Sequence, residues 1–328
     1  MRIGVLDIGS TSARLQVLDV FPGAPPVPVR AVKEPTQLST AFQADGSIDE
    51  AAADRVVRAA AAGVWSAHRL GVTELCVFVT AAVRDATNRE DILDRIEEKT
   101  GFRPAFLSGE QEAQLTYLAA HHWLRWSSGR LLLLDIGGGS MEIAHGVGDE
   151  PDWAISLPLG ARTLTAEFLP GDPPEPGDVQ ALQSQVRSIL AAAGPRLGGA
   201  GTPDLAVATS KTFDQLARLA GAPPKRRNPQ AERWLTTADL AAWIPRLAGL
   251  PAAVRAALPG VSRARSGQIL AGAVVAREAM RSWGIRGVRL CPWALREGIV
   301  LHRLRLRPAE KPLLPCHSLT PCGTDLSA

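Results

Sequence analysis

No stretch of this 328-residue chain approaches 18 uninterrupted apolar residues, and the N-terminus runs straight into a strand-like segment that already holds Asp7. Those two lacks argue against a transmembrane helix and against a signal peptide. Neither sign of charge is in excess. Thirty-six Lys and Arg against 33 Asp and Glu leave a formal net charge of +3, too small to argue nucleic-acid binding, whereas an anionic substrate needs only local positive charge. Cysteine is scarce, with four in all. Cys76 and Cys291 lie in apolar strand-like runs and read as buried thiols, while Cys316 and Cys322 lie in a polar tail, too far apart for a CxxC unit. A reducing, cytoplasmic setting is the simplest expectation. The hydrophobic fraction of 46% and charged fraction of 21% are ordinary for a globular protein, and the length suits two domains.

What the chain does have is an internal repeat. Residues 3–20, IGVLDIGSTSARLQVLDV, resemble residues 131–148, LLLLDIGGGSMEIAHGVG. Aligning Asp7 with Asp135 brings Gly9 onto Gly137 and Ser10 onto Gly138, an offset of 128 residues. That offset is too long for a solenoid unit and points to two similar domains facing each other. Each copy reads as a β-hairpin with a carboxylate and a Gly/Ser loop at its turn. Uncovered amides in such a loop can converge on phosphate oxygens, and an adjacent Asp suits a hard cation that rides on phosphate. Two such loops opposed across a cleft would clamp a phosphate.

The fold class expected is α/β, with mixed sheets and helical crossovers. A first domain over 1–124 reads as strands near 2–8, 13–20 and 27–34, a helix over 50–70 and a strand over 74–80. A helix capped by Asn88 and closed by Gly101, an extended piece over 103–108 and a helix from Glu110 to about Trp126 follow. A second domain over 125–307 restarts with strands at 131–136, 141–147 and 152–158, then a helix from Asp178 to about Leu197, a strand at 204–209 and a helix at 212–220. Helices at 237–248, 251–258 and 266–283, a strand at 287–290 and a helix over 292–306 complete it, the last a candidate to pack back on the first domain. Residues 308–328 read as a frayed tail.

Further motifs fall in order along the chain. They are Thr80-Ala-Ala-Val-Arg-Asp85, Ser108-Gly-Glu-Gln-Glu-Ala113, Ser156-Leu-Pro-Leu-Gly160 and Pro292-Trp-Ala-Leu-Arg-Glu-Gly298. With the two Asp-Ile-Gly loops, they make residues 3 to about 304 resemble the exopolyphosphatase / guanosine pentaphosphate phosphatase family of the actin-like ATPase superfamily. Length and the segment Ala208-Thr-Ser-Lys-Thr-Phe213 are most similar to its short actinobacterial members. The resemblance implies two actin-like (ribonuclease H-like) domains around a cleft. It also implies a Mg²⁺-dependent hydrolase, with Mn²⁺ as the alternative cation.

The resemblance assigns phosphate binding to Asp7, Gly9, Ser10, Thr11 and Ser12 in the first loop and to Gly137, Gly138, Gly139 and Ser140 in the second, with metal binding at Asp135. The family usually has Asn where this chain has Thr11. Glu142, seven residues after Asp135, either supports the metal or satisfies the backbone, and the two readings stand level. The resemblance makes Glu112 the general base, a role that fits a carboxylate holding an in-line water. Without it, Glu110 and Glu112 are simply acidic residues in a first helical turn, complementing the dipole, and Glu110 keeps that role. Arg84 is assigned to phosphate ahead of a surface ion pair with Asp85 or Glu90. Arg265 reaches substrate or sits solvated at a helix start, and Lys211 adds charge for a polyanion. The exposed basic loop around Arg226-Arg227 is mainly surface.

Three functions compete. A sugar kinase or chaperone-type ATPase of this superfold needs an adenosine pocket, commonly with a Gly-Gly turn after a late strand. Here that place holds Ser210-Lys211, and Gly198-Gly199 precedes the strand. A non-catalytic polyanion sensor on the same fold would not need Glu112. The leading reading is hydrolysis of the terminal phosphoanhydride of inorganic polyphosphate, and the runner-up is conversion of guanosine pentaphosphate to the tetraphosphate. The expected partner is thus one of those two anions, with no nucleic acid and no membrane, and with a homodimer left open.

Overall fold

Apolar runs that end in a carboxylate and a small-residue loop become the central strands of two sheets. The computed structural model describes residues 1–21, 23–38, 41–43, 45–125, 129–194, 201–224, 231–306 and 312–319. Lys225, Arg226 and Arg227, the Gly198-Gly199 pair and Cys322 lie outside the described residues. The chain folds into two compact units, Met1–Ser108 with Ile299–Ala328, and Gly109–Gly298.

In the first unit β1 (Arg2–Ile8), β2 (Ser12–Asp19) and β3 (Val27–Pro35) form an antiparallel meander. Helix α1 (Glu50–Arg69) follows, with the Asp49 side chain accepting from the Ala52 amide at its start. Its small face, including Ala52, Ala53, Val56 and Ala60, packs into one buried cluster with Leu6, Ile8 and Val79. Strand β4 (Glu74–Val79) then lies parallel to β1. After the one-turn α2 (Ala81–Arg84), α3 (Arg89–Thr100) ends at Gly101, whose φ of +76° is the left-handed cap that glycine favours. The short β5 (Ala105–Phe106) pairs with the far end of β4.

The second unit repeats this plan. It opens with α4 (Gly109–Leu124), then the meander β6 (Leu131–Ile136), β7 (Met141–Gly146) and β8 (Trp153–Leu157). Helices α5 (Ala161–Phe168) and α6 (Pro176–Ala193) lead to β9 (Leu205–Thr209), which runs parallel to β6. Then come α7 (Ser210–Leu219), β10 (Trp234–Thr236), α8 (Thr237–Ala248), α9 (Ala252–Arg255), a 3-10 turn at Arg263–Arg265, α10 (Ile269–Ser282) and β11 (Gly287–Leu290). Helix α11 (Leu295–Arg305) ends the series. With β12 (Cys316–Ser318) at one edge, the sheets read β12-β4-β1-β2-β3 and β10-β11-β9-β6-β7-β8, so both place the third, second, first and fourth strands of a copy side by side. This is the two-domain actin-like α/β fold.

Several expectations need correction. The units divide at Ser108/Gly109 rather than 124/125, because α4 buries Ala113 and Tyr117 with Leu131, Leu133 and Ala144 of the second sheet. The helix expected over 251–258 is a single turn, while α5 and β10 appear where no element was expected. The tail is not wholly frayed: β12 (Cys316–Ser318) pairs antiparallel with β4, and Cys316 stands directly across from Cys76 and is disulfide-bonded to it. The reading of Cys76 as a thiol therefore fails, and with it a support for a reducing setting; Cys291 is buried as expected. Among the described residues no helix is long and apolar enough to cross a membrane.

Helix α11 enters the second unit's packing at Gly298, where an added Cβ would collide with the backbone carbonyl of Leu115 on α4. Neither backbone can yield cheaply, so Gly298→Ala is expected to cost about 1–3 kcal/mol, the range for overpacking. A thermal scan checks it: the melting temperature should fall, and an unchanged one contradicts this close crossing.

Candidate active site

Strand alternation decides what faces what in the second unit. Leu132, Leu134 and Ile136 point into the larger core, and Leu131 and Leu133 into the smaller cluster under α4. By the same period of two, Asp135 lies on the α4 face at the end of its strand. Register then lines up a polar row: Thr209, Asp135, Glu142 and Ser156 stand opposite one another on β9, β6, β7 and β8. Glu142 is only 6% exposed and accepts a hydrogen bond from the Ser156 hydroxyl at 2.9 Å. The first turn of α4 sits on this row, because a Cβ at Gly109 would collide with the Ser156 side chain. Glu112 is half-buried on that turn, one helical turn before the buried Thr116, whereas Glu110 is exposed.

Two carboxylates directly opposed on a buried face repel each other. Burial first and the Glu142 carboxylate second push the Asp135 acid up to about 7, while Arg265, the Ser210 hydroxyl and Arg296 pull it down. Ser210 makes its hydrogen bond from a strained backbone, with φ +92° at the start of α7. This is the place where the sequence has Ser-Lys instead of a glycine turn. The two carboxylates are each held by a hydroxyl, Glu142 by Ser156 and Asp135 by Ser210.

The loop after Asp135 has three of its carbonyls, those of Gly137, Gly138 and Ser140, tied down. The Gly137 amide donates to the Ser140 carbonyl at 2.9 Å, closing the turn. The amides of Ala161, Arg162 and Thr163, the first turn of α5, donate to the carbonyls of Gly137 and Gly138 at 3.0–3.1 Å. Gly160 permits that docking, since a Cβ there would collide with the backbone of Gly138 and Gly139. Among the described residues the amides of Gly138, Gly139 and Ser140 meet no backbone acceptor. They form a ready anion nest.

The first unit builds its loop alike. The Gly9 amide donates to the Ser12 carbonyl at 3.1 Å, and the carbonyls of Ser10 and Thr11 accept from Leu38, Thr36 and Gln37. The Thr36 hydroxyl donates to the Gly9 carbonyl at 2.6 Å. One difference separates the copies. Asp7 stands opposite Arg14, a cation, where Asp135 stands opposite Glu142. The cross-strand neighbour of the first Asp is thus a cation and that of the second an anion, whose cations Arg265 and Arg296 come from other segments.

Other expected residues fall as follows. Arg84 donates to Asp85 at 2.8 and 3.3 Å and to the Leu107 carbonyl at 3.0 Å, so the ion pair with Asp85 is present. Lys211 is exposed and lies 3.5 Å from Asp214. Arg265 is half-buried, and its charge is supported by Asp135 and opposed by Arg162. Sequence reasoning missed Ser156, Ser210, Arg162 and Arg296. Ser156 and Arg296 sat in quoted motifs without a role, and Ser210 beside Lys211, while nothing singled out Arg162.

Residues 17–306 match the model of the Ppx/GppA phosphatase family. The chain is 46% identical over 304 residues to Exopolyphosphatase 1 of Mycobacterium tuberculosis, covering 93% of this chain and 88% of that protein. To Exopolyphosphatase 1 of Mycobacterium leprae it is 45% identical over 304 residues, covering 93% and 90%. Its fold is similar to the crystal structure of the Aquifex aeolicus Ppx/GppA family member, with a TM-score of 0.81 at 25% identity over 93% of this chain and 97% of that one. An exopolyphosphatase from Cytophaga hutchinsonii superimposes with a TM-score of 0.82 at 22% identity, over 93% and 98%.

The raised pKa of Asp135 has a pH signature. Folding lifts it from the ordinary value of about 3.9 to about 7, so the folded chain holds the proton more tightly and ionisation costs stability. In metal-free protein this group's contribution should decline as pH rises from about 4 to about 7 and then level off. A divalent cation competes with the same proton, so its affinity should strengthen up to about pH 7 and plateau above it. Cation-induced thermal shifts measured from pH 5 to 8, with Asp135→Asn as control, check this; a pH-independent shift in the unmodified chain contradicts it.

Proposed function

The chain belongs to the Ppx/GppA phosphatase family, and from that membership we propose that its second-unit site hydrolyses the terminal phosphoanhydride of inorganic polyphosphate, releasing orthophosphate. The observation that carries the reading is the row of Asp135, Glu142 and Ser156 beneath the first turn of α4, beside a loop with outward amides. Relatives 45–46% identical over most of the chain carry the name exopolyphosphatase, which favours polyphosphate over guanosine pentaphosphate.

The donor set fits a hard divalent cation. Asp135 and Glu142 supply the protein oxygens, and among the described residues no cluster of three or more His, Cys, Asp and Glu side chains forms a metal site. Two carboxylates plus phosphate and water oxygens are what Mg²⁺ commonly takes, and Mn²⁺ accepts the same donors. When bound, the cation neutralises charge on the phosphate oxygens. The amides of Gly138, Gly139 and Ser140 hold the terminal phosphoryl group in place, and those of Ser10 and Thr11 offer a second anion nest in the first unit. Arg265 adds positive charge next to Asp135.

Glu112 is the group we assign as base. Its carboxylate orients a water toward the terminal phosphorus and takes its proton as the phosphorus–oxygen bond forms. The bridging oxygen leaves with the shortened polyphosphate, whose charge needs no proton at neutral pH. Glu110 remains at the helix start, exposed, where it complements the dipole.

The test is phosphate release by the purified chain with Mg²⁺ from inorganic polyphosphate and, separately, from guanosine pentaphosphate. Polyphosphate should be the better substrate by kcat/KM. Glu112→Gln should leave the melting temperature near that of the unmodified chain and lower kcat by roughly 10²–10⁴-fold, the usual worth of a general base. A preference for guanosine pentaphosphate would replace polyphosphate as substrate, and retention of most activity in the Gln variant would remove Glu112 from the chemistry.

A further inference from the structure

Arg162 breaks three local rules at once. It is the second residue of α5, where the positive end of the helix dipole disfavours a cation. It is half-buried, and burial alone pulls its guanidinium below the ordinary arginine range. The like-charged Arg265 feels its charge, and among the described residues its side chain has no carboxylate partner and no hydrogen bond. Partly buried arginines are normally paired, because an uncompensated charge out of water is costly. Other buried guanidiniums in this chain have partners: Arg95 meets Glu50 and Asp91, Arg233 meets Asp214, and Arg255 donates to the Leu247 carbonyl.

Its position is fixed from the backbone outward. The Arg162 amide donates to the Gly138 carbonyl at 3.0 Å, which pins its Cα to the loop. The side chain then lies back over Gly138, with Cβ, Nε and Cζ each 3.9 Å from where a Gly138 Cβ would be. The outward amides of Gly138, Gly139 and Ser140 are therefore next to a planar fork of N–H donors that has nothing to bind. A tetrahedral oxyanion answers both needs, since a guanidinium grips two of its oxygens while the loop amides take another.

We infer that Arg162 is a substrate-binding residue, gripping the phosphoryl group seated on residues 137–140, and that the free protein tolerates its unpaired charge for that purpose. The substrate class is accordingly a phosphate carrying at least two negative charges, which offsets both Arg162 and Arg265. This rests on the proposed phosphohydrolase reading, but it makes a separate demand on binding. It also explains the strain at the site: the charge destabilises the empty protein and is compensated when the anion arrives.

The experiment compares the unmodified chain with Arg162→Gln and Arg162→Lys. Thermal scans are run with and without inorganic phosphate, and steady-state kinetics on polyphosphate are run beside them. Arg162→Gln should melt at the same temperature or higher without phosphate, because an uncompensated buried charge is gone. It should lose most of the phosphate-induced rise, and KM should increase by about 10- to 100-fold, the worth of hydrogen bonds to a charged group. Arg162→Lys should recover part of both. A Gln variant with an unchanged phosphate-induced rise and unchanged KM overturns the inference, whatever its melting temperature. If the unmodified chain hydrolyses no polyphosphate, the functional reading fails, while the phosphate thermal shifts still decide the fate of Arg162.

Discussion

Two short loops share one backbone constraint, the direction in which their carbonyls are taken. In both, a glycine amide closes onto a serine carbonyl three residues on, Gly9 to Ser12 and Gly137 to Ser140. The carbonyls of Ser10 and Thr11 are taken by residues 36–38 in one unit, and those of Gly137 and Gly138 by the first turn of α5 in the other. With the oxygens engaged on one side, the peptide planes turn their N–H groups to the other. A buried polar group without a partner is costly, so these amides can persist only at a surface that water or an anion reaches. Gly160 is the residue that makes this arrangement possible in the second unit, because no side chain fits between α5 and the loop.

The copies then diverge at one register position. Each carboxylate stands opposite the residue seven places on, which is Arg14 in the first copy and Glu142 in the second. The copies thus differ in the sign of the residue that stands across from the Asp. The strained Ser210, with its hydroxyl on Asp135, sits in the second unit only as part of that site. Under the proposed reading, the cation belongs with the second copy, where two carboxylates meet, and not with the first.

Much of this was legible in the sequence. The repeat located both loops, period-two alternation located the strands, and Asn88 and Gly101 bounded a helix that the structure places at Arg89–Thr100. What was not legible depends on pairing between distant segments. Strand β12 and the Cys76–Cys316 bond join positions 240 residues apart, and three residues in a polar tail carry no pattern of their own. Helix α4 follows the first unit in the chain but buries its apolar face on the second sheet, a choice that periodicity alone cannot make. Arg162 was invisible for a different reason: an arginine at a helix start looks solvated until the loop beneath it is known. Arg14 was legible and passed over, since the repeat offset sets it against Glu142.

The account stands or falls on whether these amides bind phosphate. The most direct measurement is an amide NMR titration of the isotopically labelled chain with inorganic phosphate in the presence of Mg²⁺. The account predicts that the amide resonances of Gly138, Gly139 and Ser140 shift together and saturate, with those of Ser10 and Thr11 responding as the second nest. Resonances at all five positions that stay fixed while others move would contradict it.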